Sequence, residues 1–126
     1  MVIISSLATT KASENTAHYT ASKTGLVGRM RVMAKELAPH RIRVNTVHPT
    51  TVNTDMVLNE SIYRLFRPDL EHPTRADFEI AAQGINALPV AAIESIDVSN
   101  AVLYLASDIG RFVTGSSLVV DAGGDL

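Results

Sequence analysis

The chain has 126 residues, 46% of them apolar, which suffices for one modest core and bounds it to a single domain or part of one. Eleven basic residues against thirteen acidic ones leave a formal charge of -2, so neither nucleic acid nor an anionic membrane finds an electrostatic footprint here. There is no cysteine, which excludes disulfides and thiolate zinc sites, and the four histidines lack HExxH-type ligand spacing.

No apolar run approaches the ~20 residues of a membrane helix, no cleavable leader precedes the first structured segment, and neither repeats nor low-complexity stretches divide the chain. A soluble, cytoplasmic protein is expected. The apolar run from Met1 to Ile4 is rich in β-branched residues and reads as a strand buried on both faces of a parallel sheet, ending at Ser5 and Ser6. A methionine inside a buried strand is an unusual start for a domain, so the chain is expected to be cut from a longer one.

From about Thr16 to Ala38 the positions Tyr19, Leu26, Met30, Met33 and Leu37 recur at helical spacing, predicting one helix of about six turns. Pro39 stops it, while Lys35, His40 and Arg41 put positive charge near the C-terminal end of its dipole. Gly25 and Gly28 each cost about 1 kcal/mol inside a helix, and either a close approach of another backbone or simple tolerance accounts for them.

This helix carries His18-Tyr19-Thr20-Ala21-Ser22-Lys23, a phenol and an ammonium four residues apart on one face. A neighbouring cation favours the charged form of a phenol, which suits the pair to general acid-base work. Taken alone, the same spacing also fits an amphipathic core tyrosine beside a surface lysine. Ser6, at the end of the first strand, changes the balance.

Ile42 to Val47 is the second predicted strand, interrupted by His48 and Pro49, and Leu118 to Val120 the third. Asn45 lies inside a buried strand, where an amide needs partners, and reads as structural. Between these strands, Val98 to Ala106 is predicted helical, with Ala101, Val102 and Leu105 buried and Ser95 or Asp97 as caps. Alternating strands and helices imply parallel pairing, with ligands collected beyond the carboxyl ends of the strands. Ser5, Ser6 and the stretch from His48 to Thr54 share that rim.

Residues Asn53 to Pro89 form a long insertion, with short helices expected from Asp55 and from Arg75 to Ile85, and Thr54 as a cap. Loops of this length are uncommon unless they bind something. Leu58, Ile62, Tyr63, Leu65, Phe66 and Phe78 suit a satellite hydrophobic cluster and a substrate-binding lid equally.

Taken together, these residues resemble the C-terminal half of the short-chain dehydrogenases/reductases. Ser6 precedes Tyr19 by thirteen residues, and Tyr19 and Lys23 match the family's YxxxK motif. Ile42 to Pro49 is similar to its RVNxxxPG strand, and Val52-Asn53-Thr54 to its VxT cofactor segment. Val113-Thr114-Gly115 and Val120 to Gly124 are similar to its last turn and strand. The insertion around Tyr63 to Glu71, with Pro49-Thr50-Thr51-Val52 where Pro-Gly is usual, resembles the mycofactocin-coupled, carveol dehydrogenase-like branch. Thr50 in place of glycine departs from the common pattern.

The resemblance implies an α/β fold, the C-terminal half of a Rossmann-like doubly wound parallel sheet with three strands and flanking helices. Residues 1–126 would be the catalytic part of a dinucleotide-binding domain, with 53–90 as its substrate-loop insertion. It implies an oxidoreductase that takes a secondary alcohol to a ketone with NAD, NADP remaining open, in a homo-oligomer. Tyr19 would accept the alcohol proton, Ser6 would hold the substrate oxygen, and Lys23 would support Tyr19 and bind the nicotinamide ribose. Pro49, Thr50, Thr51, Val52 and Thr54 would line the nicotinamide end, with Leu65, Phe66 and Phe78 on the substrate.

Neither a phosphate-binding glycine turn after a first strand nor a ribose-reading acid after a second is found in the sequence. Two further readings therefore stand beside the dehydrogenase: a non-catalytic module retaining scaffold and subunit contacts, and a YxxxK epimerase.

Overall fold

A computed structural model describes all residues, 1–126. The elements are β1 (Val2–Ile4), α1 (Ala17–Leu37), β2 (Asn45–Pro49), α2 (Glu60–Phe66), α3 (Arg75–Gln83), α4 (Ser95–Ala106) and β3 (Ser117–Val120). No helix is long and apolar enough to cross a membrane.

The chain divides into two compact units, the first comprising Met1–Pro49 with Ile96–Val120. It holds a three-stranded sheet in the order β1-β2-β3, parallel throughout, with Val2 opposite Asn45 and Thr46 opposite Ser117. Side chains alternate across a strand, and both faces carry core. Val44 and Ile3 pack with Met30, Ala34 and Leu37 of α1. Val47, Val2, Leu118 and Val120 pack with Ala101 and Leu105 of α4. Asn45 is buried and satisfied on both ends of its amide: Nδ2 donates to the Val113 carbonyl at 2.8 Å, and Oδ1 accepts from the Ser116 amide at 3.1 Å.

The long helix agrees with its sequence reading to within a residue at each end, and a single 3-10 turn, Ala38–His40, takes up Pro39. Arg41 then adopts a left-handed conformation at φ 58°. The second strand differs: it begins at Asn45 and runs through His48 and Pro49. Proline lacks only an amide hydrogen, which costs little at the last position of a strand. Ile42 to Val44 fall outside: the Ile42 amide turns back to the Leu37 carbonyl at 3.3 Å, and a distant side chain takes the Val44 amide. The Val44 amide donates to Thr114 Oγ1 at 3.1 Å, and the Arg43 guanidinium donates to the carbonyls of Leu105, Ala106, Ser107 and Val113. Helix α4 starts three residues earlier than expected, so Ser95 and Asp97 lie in its first turn. A Cβ added at Gly25 or Gly28 would meet nothing within 4 Å, so no close backbone approach within the chain explains these glycines.

The second unit comprises Thr50–Ser95 and Asp121–Leu126 and contains the whole of the expected insertion. Thr54 does not cap a helix. It opens hydrogen-bonded turns, with the amides of Val57 and Leu58 donating to its carbonyl at 2.9 and 3.0 Å. The helix begins only at Glu60, capped by Asn59, whose Oδ1 accepts from the Ile62 amide at 3.2 Å. Thr74 and Asp77 form a capping box that starts α3, which ends at Gln83. Phe78, 1% exposed, stacks edge-on to Phe66 at 4.9 Å between centroids and tilted to Tyr63 at 5.3 Å, forming a small aromatic core. The C-terminal segment is joined to the stretch after α3 through the Leu88 amide, which donates to the Ala122 carbonyl at 2.9 Å. Gly123, at φ 78°, would place a Cβ 2.7 Å from that of Ala87, so this turn requires glycine.

Candidate active site

Where β1 ends, the Ser5 amide still donates to the Val47 carbonyl at 2.8 Å, and the chain then turns off the sheet. Ser6 has extended backbone, φ -165° and ψ 156°, and its Oγ accepts from the Ala8 amide at 3.1 Å, capping the 3-10 turn Leu7–Thr9. Accepting that bond fixes the oxygen and leaves the O–H as the group Ser6 can offer to another oxygen. Leu7 is buried and anchors the turn, which packs against α1.

Helix α1 starts at Ala17, so Tyr19 lies in its first turn and Lys23 one turn further on. Tyr19 is 38% exposed, leaving its phenol reachable. The Lys23 ammonium stands 5.6 Å from the Tyr19 ring centroid and donates to the Ile4 carbonyl at 3.3 Å. Buried Ser5 completes the junction by donating from Oγ to the Lys23 carbonyl at 3.0 Å. The cation is thereby brought to the carboxyl end of β1, where the chain continues into Ser6. Such a set offers a proton-exchanging phenol, an adjacent positive charge and a hydroxyl donor.

Pro49 is buried at the carboxyl end of β2. After it, Thr50 Oγ1 donates to Asn86 Oδ1 at 3.0 Å. Val52 forms a parallel bridge with Ile93 that uses the Thr51 carbonyl and the Asn53 amide, each at 2.9 Å. In a parallel ladder this leaves the amide and carbonyl of Val52 itself on the opposite edge. Thr54 Oγ1 donates to the Val52 carbonyl at 3.4 Å. A donor and an acceptor on one extended residue, with a hydroxyl beside them, match the two ends of a carboxamide. The chemistry of these groups fits the nicotinamide end of a dinucleotide.

Of the residues expected on the substrate besides Ser6, Leu65 is 40% exposed, whereas Phe66 and Phe78 belong to the aromatic core. Phe78 also lines an open cleft of about 300 Å³ with Leu58, Asn53, Val90, Arg75 and Glu79. Arg75 Nε donates to Glu79 Oε1 at 2.7 Å. No group of three or more His, Cys, Asp or Glu side chains is arranged to hold a metal ion.

Sequence reasoning missed His48. It is 3% exposed, with both ring nitrogens within hydrogen-bonding distance of protein groups, and burial pushes its pKa below the ordinary 6.5. Its spacing from Thr46, two residues along one strand face, was a visible signal. The 39-residue separation from Thr9 was not.

The chain is similar to known proteins along nearly its whole length. A family profile described as enoyl-(acyl carrier protein) reductase matches residues 1–124. The chain is 56% identical over all 126 residues to a (-)-trans-carveol dehydrogenase of Rhodococcus erythropolis, covering 46% of that protein. It is 52% identical to a putative short-chain type dehydrogenase/reductase of Mycolicibacterium smegmatis, again over its full length and 45% of the relative. A carveol dehydrogenase from Mycobacterium avium, solved in complex with NAD, superposes with a TM-score of 0.93 at 54% identity, over 98% of this chain and 44% of that one. The chain thus spans somewhat under half the length of the relatives it matches. Its strand order, its Ser-Tyr-Lys spacing and these similarities place it in one group: the chain belongs to the short-chain dehydrogenase/reductase family.

Proposed function

We propose that this chain is the catalytic half of an NAD-dependent dehydrogenase that oxidises a secondary alcohol, of the carveol type, to the ketone. The observation that carries this reading is the junction at Lys23, where one residue neighbours the Tyr19 ring, donates to Ile4 and accepts from Ser5 beside Ser6. NAD, when bound, supplies the hydride acceptor. Tyr19 takes the hydroxyl proton of the alcohol, with the Lys23 ammonium as the positive charge beside its ring. Ser6 donates its O–H to the substrate oxygen, holding it where the proton is exchanged. The amide and carbonyl of Val52, with Thr54 and the flanking Pro49, Thr50 and Thr51, orient the carboxamide. NAD rather than NADP rests on the NAD-bound Mycobacterium avium relative.

Leu65, and Leu58, Phe78 and Val90 on one side of the cleft, offer apolar surface for a terpenoid alcohol, while Asn53, Arg75 and Glu79 supply its polar groups. A homo-oligomer fits the run of exposed apolar residues Ile96, Leu103, Tyr104, Ile109 and Phe112, the last 88% exposed.

The test is an assay of NAD reduction by a protein in which this chain follows the remaining half of the Rhodococcus erythropolis relative. Carveol is expected to be oxidised and a primary straight-chain alcohol of the same carbon number to be turned over at least tenfold more slowly. Absence of NAD reduction with any secondary alcohol, in a folded NAD-binding protein, contradicts the reading.

A further inference from the structure

Behind the turn that presents Ser6 lies a row of polar side chains to which the chemistry above gives no role. Ser117 Oγ is 2.9 Å from Thr46 Oγ1, and Thr46 Oγ1 is 2.8 Å from His48 Nε2. On its other side His48 Nδ1 is 2.9 Å from Thr9 Oγ1 and 3.1 Å from the Ser6 carbonyl oxygen. Thr9 Oγ1 donates to that same carbonyl at 3.0 Å. Thr46 and His48 are buried on the strand that also carries fully buried Val47. Polar groups at such a depth cost stability unless satisfied, and an apolar pair would fill the space without that demand.

Counting hydrogens settles the direction of the row. The Ser6 carbonyl only accepts, and the Thr9 hydroxyl has one hydrogen. With Nδ1 bare, that hydrogen serves either Nδ1 or the Ser6 carbonyl, and two lone pairs confront each other at about 3 Å across the contact it leaves. With the proton on Nδ1, Thr9 donates to Ser6, Nδ1 donates to Thr9 and to the carbonyl, and Nε2 accepts from Thr46, which accepts from Ser117. Every atom is then paired. The groups facing the imidazole, from the Ser6 turn on one side and from β2 and β3 on the other, are hydroxyls and a carbonyl. No charged group acts on it, and burial favours the neutral ring.

We propose that His48 is a positioning residue: its neutral Nδ1–H tautomer, oriented by Thr46 and Ser117, grips the Ser6 carbonyl and Thr9 and so sets the direction of the Ser6 hydroxyl. This rests on the reading of Ser6 as the group that holds the substrate oxygen. Because Ser6 Oγ is tied to Ala8 in the same turn, pinning the turn at its carbonyl and at Thr9 fixes both ends of the segment that aims the O–H.

The experiment uses the complete enzyme containing this chain, with histidine labelled with nitrogen-15. The His48 signals, assigned by their loss in His48→Gln, are expected to show a protonated Nδ1 and an unprotonated Nε2 at neutral pH. A protonated Nε2 overturns the proposal, and this measurement needs no variant to be active. In parallel, His48→Asn places an amide N–H near the Nδ1 position, and His48→Gln reaches the Nε2 position. Asn is expected to keep kcat within about threefold while Gln loses tenfold or more, both with unchanged affinity for NAD. Gln matching or exceeding Asn, or equal losses of kcat and NAD affinity in both, overturns it. Ser6→Ala keeps the two readings apart: full turnover in that variant removes the role of Ser6, whereas a severe loss alongside a protonated Nε2 removes only that of His48.

Discussion

The Ser5 hydroxyl donates to the backbone carbonyl of Lys23 across 3.0 Å, joining the end of β1 to the helix at the residue that carries the cation. Lys23 reaches back to the Ile4 carbonyl with its ammonium, so strand and helix are tied twice within one turn. Ser5→Ala removes the buried donor and little volume. We expect a loss of about 1 kcal/mol in stability, together with a several-fold fall in turnover as Lys23 loosens. Thermal unfolding and steady-state kinetics on the same preparation check both parts. Unchanged turnover would make the bond purely structural.

A second expectation concerns Arg43. Its guanidinium donates to the carbonyls of Leu105, Ala106, Ser107 and Val113, three of them at the end of α4, where helix carbonyls lack intrahelical partners. A lysine ammonium cannot fan out over four acceptors. Arg43→Lys should therefore cost about 1–3 kcal/mol, measured by denaturant unfolding, with NAD affinity unaltered. A stability equal to that of the unsubstituted protein would show that water replaces the fork at no cost.

How much of this was legible in the sequence differs by the range of the forces involved. Helix α1, 21 residues long, was readable because Met30, Met33 and Leu37 recur at the helical period in its second half, and tertiary packing reinforces that pattern. Asn45 was readable because a buried amide in a strand demands partners, and it has them. The start of β2 was not, since Ile42 and Arg43 look strand-like locally, whereas the Ile42 amide closes the turn after α1 and the Val44 amide goes to Thr114, 70 residues away. The Thr54 cap failed for a related reason: Asn59, five residues on, offers a cap nearer the apolar run of α2. In the candidate site, Ser6, Tyr19 and Lys23 were visible as residue types at a spacing. The Ser5 clamp and the row through His48 join residues too distant in sequence for any local pattern to suggest.

Stability should depend on pH in a way His48 dictates. Burial lowers its pKa, so the unfolded chain takes up a proton below 6.5 that the folded chain resists. The contribution is complete above 6.5 and is lost as pH falls below that value. Asp69 and Asp77, held low by Arg67 and by Thr74 respectively, act in a more acid window, adding stability above 3.8 that is lost as pH falls through their folded values. Unfolding temperature should thus decline between 6.5 and 3.8, and His48→Asn should flatten that decline. An unchanged slope in the variant would mean the imidazole is not the group responsible.

The 126-residue polypeptide taken by itself should bind no NAD that calorimetry can measure and should oxidise no alcohol. Pyrophosphate is held by a glycine turn at a helix N-terminus, whereas Gly25 and Gly28 lie inside α1 and Gly115 and Gly123 in turns near the C-terminus. Strand β1 pairs only with β2, leaving its other edge as a template for association. Light scattering should find assemblies larger than a monomer. Micromolar NAD affinity in a monodisperse monomer would contradict both statements.

The most direct test of the central claim is Tyr19→Phe in the complete enzyme, with turnover and NAD affinity measured on the same folded preparation. Tyr19 is 38% exposed, so the change removes the ionisable oxygen and almost no packing. If the phenol exchanges the alcohol proton, kcat falls by about 10²–10⁴-fold, the usual contribution of a positioned acid or base. Unfolding temperature and affinity for NAD should stay near those of the unsubstituted enzyme. Near-normal turnover in this variant would contradict the assignment of Tyr19, and with it the chemistry built on Ser6 and Lys23.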